Sequence, residues 1–234
     1  MSPLRLLLPL LAAAGCGTTG QRELTLPALF RGDGGGPITA GDYTVLLDRA
    51  EVGFGPAYFC ATSAAAADLC PVAVAELAAS ATVDGKSAAW QPLGEIQGTT
   101  GEVRSATYDF AYTWFPTQRT ARPTSAAPGG HSLRLGGRAS RGNLSFRFVA
   151  EIDVVPRLQG TRSVEGARLD PSPIEAGGRL EVNLPVRSWV AGVDFDELRR
   201  QGGDPVVVAQ DSRAGSALIV AMTAAAPPQL AWVR

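Results

Sequence analysis

The sequence predicts a mainly β protein: an antiparallel β-sandwich with one or two short helices in its C-terminal third. Three observations carry this expectation. Apolar residues recur at every second position over several short stretches, as in strands with one buried face. Gly, Pro and polar residues punctuate those stretches, with 27 Gly and 17 Pro among 234 residues. Helix start and stop signals gather in two segments near the C-terminus. An apolar share of 45% is enough for a sizeable core.

Taken in order, Leu24, Leu26 and Ala28 alternate in a first strand, and residues 31–41 read as a Gly-rich loop. Tyr43, Val45 and Leu47 alternate with polar neighbours, and Val52 and Phe54 resume the pattern beyond Ala50. Ala57-Tyr58-Phe59 leads into Cys60, whereas Pro71 to Ser80 fits strand or helix equally well. Tyr108, Phe110, Tyr112 and Trp114 fall at spacing two, and residues 119–130 form a Pro/Ser/Gly loop. Ser132 to Arg138, Leu144 to Val155 and Arg179 to Val186 complete the clear strand patterns. Ser188 to Arg200 then reads as one helix, with acids early, Arg199 and Arg200 late and Gly202 as the stop. Asp211 or Ser212 caps a second helix across Ala214 to Ala225, and Leu230 to Val233 returns as a strand.

The N-terminus reads as an export signal. Arg5 precedes the apolar run Leu6 to Leu11, and small residues lead to Cys16; the run is too short for a bilayer span of roughly 20 residues. Ala14-Gly15-Cys16 resembles the lipobox of bacterial lipoproteins, although Ala13 stands where that family favours Leu. The resemblance implies that Cys16 carries a diacylglyceryl thioether, is exposed by signal peptidase II and is acylated on its amine. Cleavage by signal peptidase I after Ala12-Ala13-Ala14 is the alternative. Residues 1–15 are thus the signal peptide, 16–23 a tether and 24–234 one β-sandwich domain. Gly17, where an Asp would retain the protein at the inner membrane, favours the outer membrane.

With Cys16 lipidated, Cys60 and Cys70 remain as an even pair in an oxidising compartment, which predicts a structural disulfide between them. The chain carries 21 basic and 22 acidic residues, with Lys86 the sole lysine. That balance gives no field for nucleic acid, and the Arg, Ala and Gly usage reflects a GC-rich genome. Gly15 to Gly20 matches G-x-G-x-x-G only by accident, because a signal peptide precedes it and a tether follows.

No sequence feature marks an enzyme. No nucleophile elbow, H-E-x-x-H or P-loop occurs, and His131, the only histidine, sits beside Gly129-Gly130 in a turn. It reads as a solvated loop residue, with no serine marked as a triad partner. The aromatic row from Tyr108 reads as core packing before ligand stacking. Asp33, Asp194, Asp196 and Glu197 lack cation-loop spacing, so no metal site or cofactor is expected. Arg134, Arg138, Arg141 and Arg147 form a local basic patch that outward strand positions and edge protection explain as well as lipopolysaccharide or phosphate binding does.

The segment Tyr43 to Phe54, the cysteine pair after it, Ser188 to Leu198 and Leu230 to Val233 together resemble methanobactin-associated, copper-binding envelope lipoproteins. That resemblance implies a periplasmic metal-binding protein using histidine and tryptophan. The residues themselves favour a different expectation: a membrane-anchored, non-catalytic module that binds an envelope protein or a glycan through loops such as 121–130.

Overall fold

The computed structural model describes residues 20–63 and 73–234. Its elements run β1 (Glu23–Gly32), β2 (Ile38–Ala40), β3 (Tyr43–Phe54), β4 (Ala57–Cys60), β5 (Ala75–Leu77), β6 (Ala81–Asp84), β7 (Gln91–Thr99) and β8 (Gly101–Tyr108). They continue β9 (Tyr112–Thr113), β10 (Arg122–Pro123), β11 (Leu133–Arg141), β12 (Leu144–Ile152), β13 (Val164–Ile174), β14 (Arg179–Leu184), α1 (Val186–Ala191), α2 (Phe195–Gln201), β15 (Val206–Val208), α3 (Arg213–Val220) and β16 (Gln229–Val233). Eight strands form one sheet in the order β13-β8-β4-β5-β7-β1-β14-β16. A second sheet runs β15-β12-β11-β3-β2, with β6 also on β3, and β9–β10 is a short ribbon. A hydrophobic cluster joins both sheets and the helices.

The mainly β reading holds, with differences that have physical causes. The pairs β1–β14 and β12–β15 are parallel, so the sheets are mixed where an antiparallel sandwich was expected. The expected loop at 31–41 is shorter, because β1 runs to Gly32 and β2 begins at Ile38. Leu47 and Ala50 both face inward along β3, since a bulge opposite Gly136/Gly137 inserts one extra residue. Gly137 is needed there, as a Cβ would stand 2.3 Å from the Leu46 carbonyl oxygen. The Asp48 carbonyl at the bulge accepts from the Nζ of Lys86 at 2.8 Å.

The aromatic row does not share one face. Tyr108 and Phe110 are fully buried, but Ala111 takes a positive φ of 55° and reverses the phase. Thr113 is buried after the break, and Tyr112 and Trp114 are half-buried. The single helix expected over Ser188 to Arg200 is two, α1 and α2. Asp194 stops the continuation by accepting the Glu197 N–H at 2.9 Å, which starts α2 anew. Ser212 caps α3 as expected, and a π-helical turn over Ala221–Ala225 follows it. Segment 73–80 resolves as strand β5. Among the described residues no helix is long and apolar enough to cross a membrane.

The two sheets are joined at a glycine crossing. The turn after β6 passes Gly85 from β3 to the end of β1: Gly85 N–H donates to Ala50 O at 2.7 Å, and Gly34 N–H donates to Gly85 O at 3.0 Å. Gly32 N–H donates to Ser87 O at 2.8 Å, and a Cβ on Gly32 would lie 1.9 Å from the Gly85 oxygen. Gly32→Ala should therefore lower stability by about 2–3 kcal/mol or more, because backbone must move to admit the methyl. Gly136→Ala, whose Cβ meets nothing closer than 3.8 Å, should stay near wild type. Chemical denaturation of both variants checks this; equal midpoints would remove the crossing as a constraint.

Candidate functional site

His131 lies in the turn before β11 as expected, but its half-buried ring is paired and not free in solvent. Its Nδ1 lies 2.9 Å from Asp153 Oδ1 while Nε2 lies 3.5 Å from Glu151 Oε2. Burial raises the pKa of the nearby Tyr112 hydroxyl, and the Asp153 carboxylate raises it further. Arg134, opposite Glu51 and Glu151 in the sheet register, pairs with Glu151 at 3.1 Å and with Glu51 at 3.4 Å. The adjacent Ser132 is buried, and its Oγ accepts the Val154 N–H at 3.0 Å. That hydroxyl is taken up by the Val154 N–H, and the cluster is an imidazole between two carboxylates. Its chemistry is that of a charge ladder across β3, β11 and β12.

The other singled-out charges are also dispersed into pairs. Arg141 binds Asp196 at 2.8 Å and stacks 4.6 Å from the Tyr43 ring centre, and the Tyr43 hydroxyl donates to Asp196 at 3.1 Å. Arg147 binds Asp204 at 2.9 Å. The basic patch read from the sequence is therefore largely compensated in place, with Arg138 the exposed remainder. Asp194 serves as a helix cap, and Glu197 stands 3.8 Å from Arg213, so these acids do not converge with Asp33. Among the described residues no group of three His, Cys, Asp or Glu side chains is placed to hold a metal ion.

Cys60, at the end of β4, is disulfide-bonded. Cys70, Cys16, the signal peptide and most of the tether lie outside the described residues.

Two arrangements escaped the sequence reading. The first is a buried ion pair. Asp109 is wholly buried at the end of β8; its Oδ1 accepts the Ser163 N–H at 2.7 Å, and its Oδ2 lies 3.4 Å from Arg162 Nη1. Arg162 lies over the Tyr58 and Phe115 rings at 4.7 and 4.8 Å. Burial pushes the Asp109 carboxyl up to about 6, against the opposing pull of Ser163 and Arg162. The available signal was a lone acid between two core aromatics, Tyr108 and Phe110.

The second is a cleft of about 580 Å³ where β1 and β14 end side by side. Arg31 stands directly opposite Asn183 in the parallel register and donates from Nε to Asn183 Oδ1. Its guanidinium lies 4.4 Å from the Trp90 ring centre. Asp33 Oδ1 accepts the Arg187 N–H at 2.8 Å, and the Arg187 side chain donates to the Pro37 and Gly35 carbonyls at 2.5 and 2.9 Å. No local spacing joins Arg31 to Asn183, 152 residues apart.

No protein-family model, no curated protein and no solved structure matches this chain.

The Asp109 pair predicts a pH dependence. Its folded pKa of about 6 lies above the ordinary 3.8, so the fold binds this proton more tightly than the unfolded chain does. The resulting stability is complete below about pH 4 and is lost as pH rises through about 6. Asp109→Asn keeps an oxygen for Ser163 but does not titrate. Measured against wild type, the variant should gain about 2 kcal/mol in relative stability between pH 4.5 and 7.5. A pH-independent difference in urea melts would refute the assignment.

Proposed function

We propose that this chain is an exported lipoprotein, anchored to the bacterial outer membrane through Cys16, whose β-rich body is a non-catalytic binding module. The observation that carries the reading is the order of its first segments: Arg5, an apolar run, Ala14-Gly15-Cys16, then a polar stretch ahead of β1 at Glu23. Seven residues from Cys16 to Glu23 reach at most about 25 Å when extended. An acylated Cys16 therefore holds the folded body against the lipid surface. The binding role is supported by how the polar groups are used: the titratable clusters around His131, Asp196 and Asp109 are paired internally. Cys60 and Cys70 complete the reading as a disulfide that closes a short loop and stabilises the exported chain by roughly 3 kcal/mol.

The test is metabolic labelling with radioactive palmitate, followed by envelope fractionation. Wild type should carry label and sediment with outer membranes, whereas Cys16→Ser should carry none and leave the membrane fraction. Unlabelled, freely soluble wild-type protein ends the proposal. In the same preparation, thiol labelling of the denatured, unreduced protein should find neither Cys60 nor Cys70 reactive.

A further inference from the structure

We propose that the cleft between the ends of β1 and β14 is a binding site for an acidic sugar, whose carboxylate sits on the guanidinium of Arg31. The inference rests on the reading of the chain as an envelope binding module and names its ligand class.

Arg31 is positioned as a receptor and not as a structural tie. Its plane is held against Trp90 at 4.4 Å, and its Nε is committed to Asn183. Its terminal nitrogens Nη1 and Nη2 make no hydrogen bond or ion pair among the described residues. A guanidinium fixed on one face and one edge presents its remaining edge as a planar fork, which matches the two oxygens of a carboxylate. Little side-chain freedom is left to lose on binding, since stacking and the Asn183 bond already restrict it.

The rest of the cleft selects the kind of anion. Arg187 also lines it, but its guanidinium is engaged by the carbonyls of residues 35 and 37, so it contributes field and not a second fork. Asp33 brings one negative charge. Two arginines against one carboxylate leave the cleft cationic by a single charge, suited to a monoanion and poor for a phosphate dianion. Ser188 and Gln229 add exposed hydroxyl and amide groups that both donate and accept, as sugar hydroxyls require. Pro185 and Ala88 supply apolar surface for ring C–H groups. A volume of about 580 Å³ lies within the range of small-ligand sites and accommodates one or two sugar rings.

The experiment titrates the full chain, purified in detergent, with glucuronate, glucose and inorganic phosphate by calorimetry. Glucuronate should saturate one site at millimolar concentration or below, with glucose and phosphate each at least about tenfold weaker. Arg31→Lys keeps the charge but removes the fork, and should weaken glucuronate by about tenfold with an unchanged melting temperature. If Arg31→Lys also lowers the melting temperature, the exposed Ser188→Ala and Gln229→Ala variants serve instead, each expected to weaken binding at least about twofold. Equal affinity for glucuronate and glucose, phosphate binding as tightly as glucuronate, no saturable glucuronate binding, or variants that bind like wild type would each overturn the proposal. Palmitate labelling of Cys16 reads the anchor independently. A labelled protein that ignores glucuronate loses only this inference, and an unlabelled one that binds it loses only the anchor.

Discussion

The passage of Gly85 between two backbones is the constraint on which the rest of the fold depends. A β-sandwich is usually held by side chains alone, at a face-to-face distance of about 10 Å. Here the sheets also touch through main chain, with Gly85 donating into β3 and accepting from the segment after β1. That contact is open only to residues without a side chain, because Gly32 and Gly85 approach to within 1.9 Å of where a Cβ would be. The neighbouring turn is fastened in turn by Lys86 on the Asp48 carbonyl and by Gln91 on the Asp84 backbone. The only lysine of the chain thus closes the bulge that keeps β3 in phase with the core.

A second seam is aromatic. Phe54 at the end of β3 packs 5.3 Å from Tyr108 of β8, Phe110 meets both, and Trp189 of α1 lies 6.4 Å from Phe110. Trp189 is fully buried, and its indole N–H donates to Ala226 O at 2.7 Å, which ties α1 to the turn that follows α3. The helices therefore belong to the same core as the strands, and burial of such rings contributes stability beyond their area. The break at Ala111 has a use in this setting. It releases the chain after Phe110, so Tyr112 can reach Asp153 instead of entering the core.

Strands with strict alternation were legible in the sequence: β3, β11, β12 and β14 each bury every second residue over most of their length. Two of the longer strands missed carry residues that strands usually avoid, and others, such as β2 and β6, are only three or four residues long. β7 contains Pro92, Gly94 and Gly98, and β13 contains Pro171 and Pro173 on a sheet edge, where a missing donor is tolerated. β15 is three residues long, too short for a period to appear. Parallel pairing was illegible for another reason: β1 and β14 meet across about 150 residues, and no local pattern specifies a partner so distant. The candidate site shares that limit. His131 was visible as the sole histidine, but its carboxylates come from β12 and the residue after it.

The cleft at Arg31 follows from the glycine crossing. Because β1 must end in Gly32 to let Gly85 pass, Arg31 is its last residue with a side chain before the loop, and the parallel register sets it beside Asn183. Gly34 is held on Gly85, while Asp33 and the carbonyls of residues 35 and 37 are held by Arg187. The loop is thereby kept off the paired ends of β1 and β14, and the space beside them stays open. The fork of Arg31 is presented outward by the same backbone contacts that hold the two sheets together.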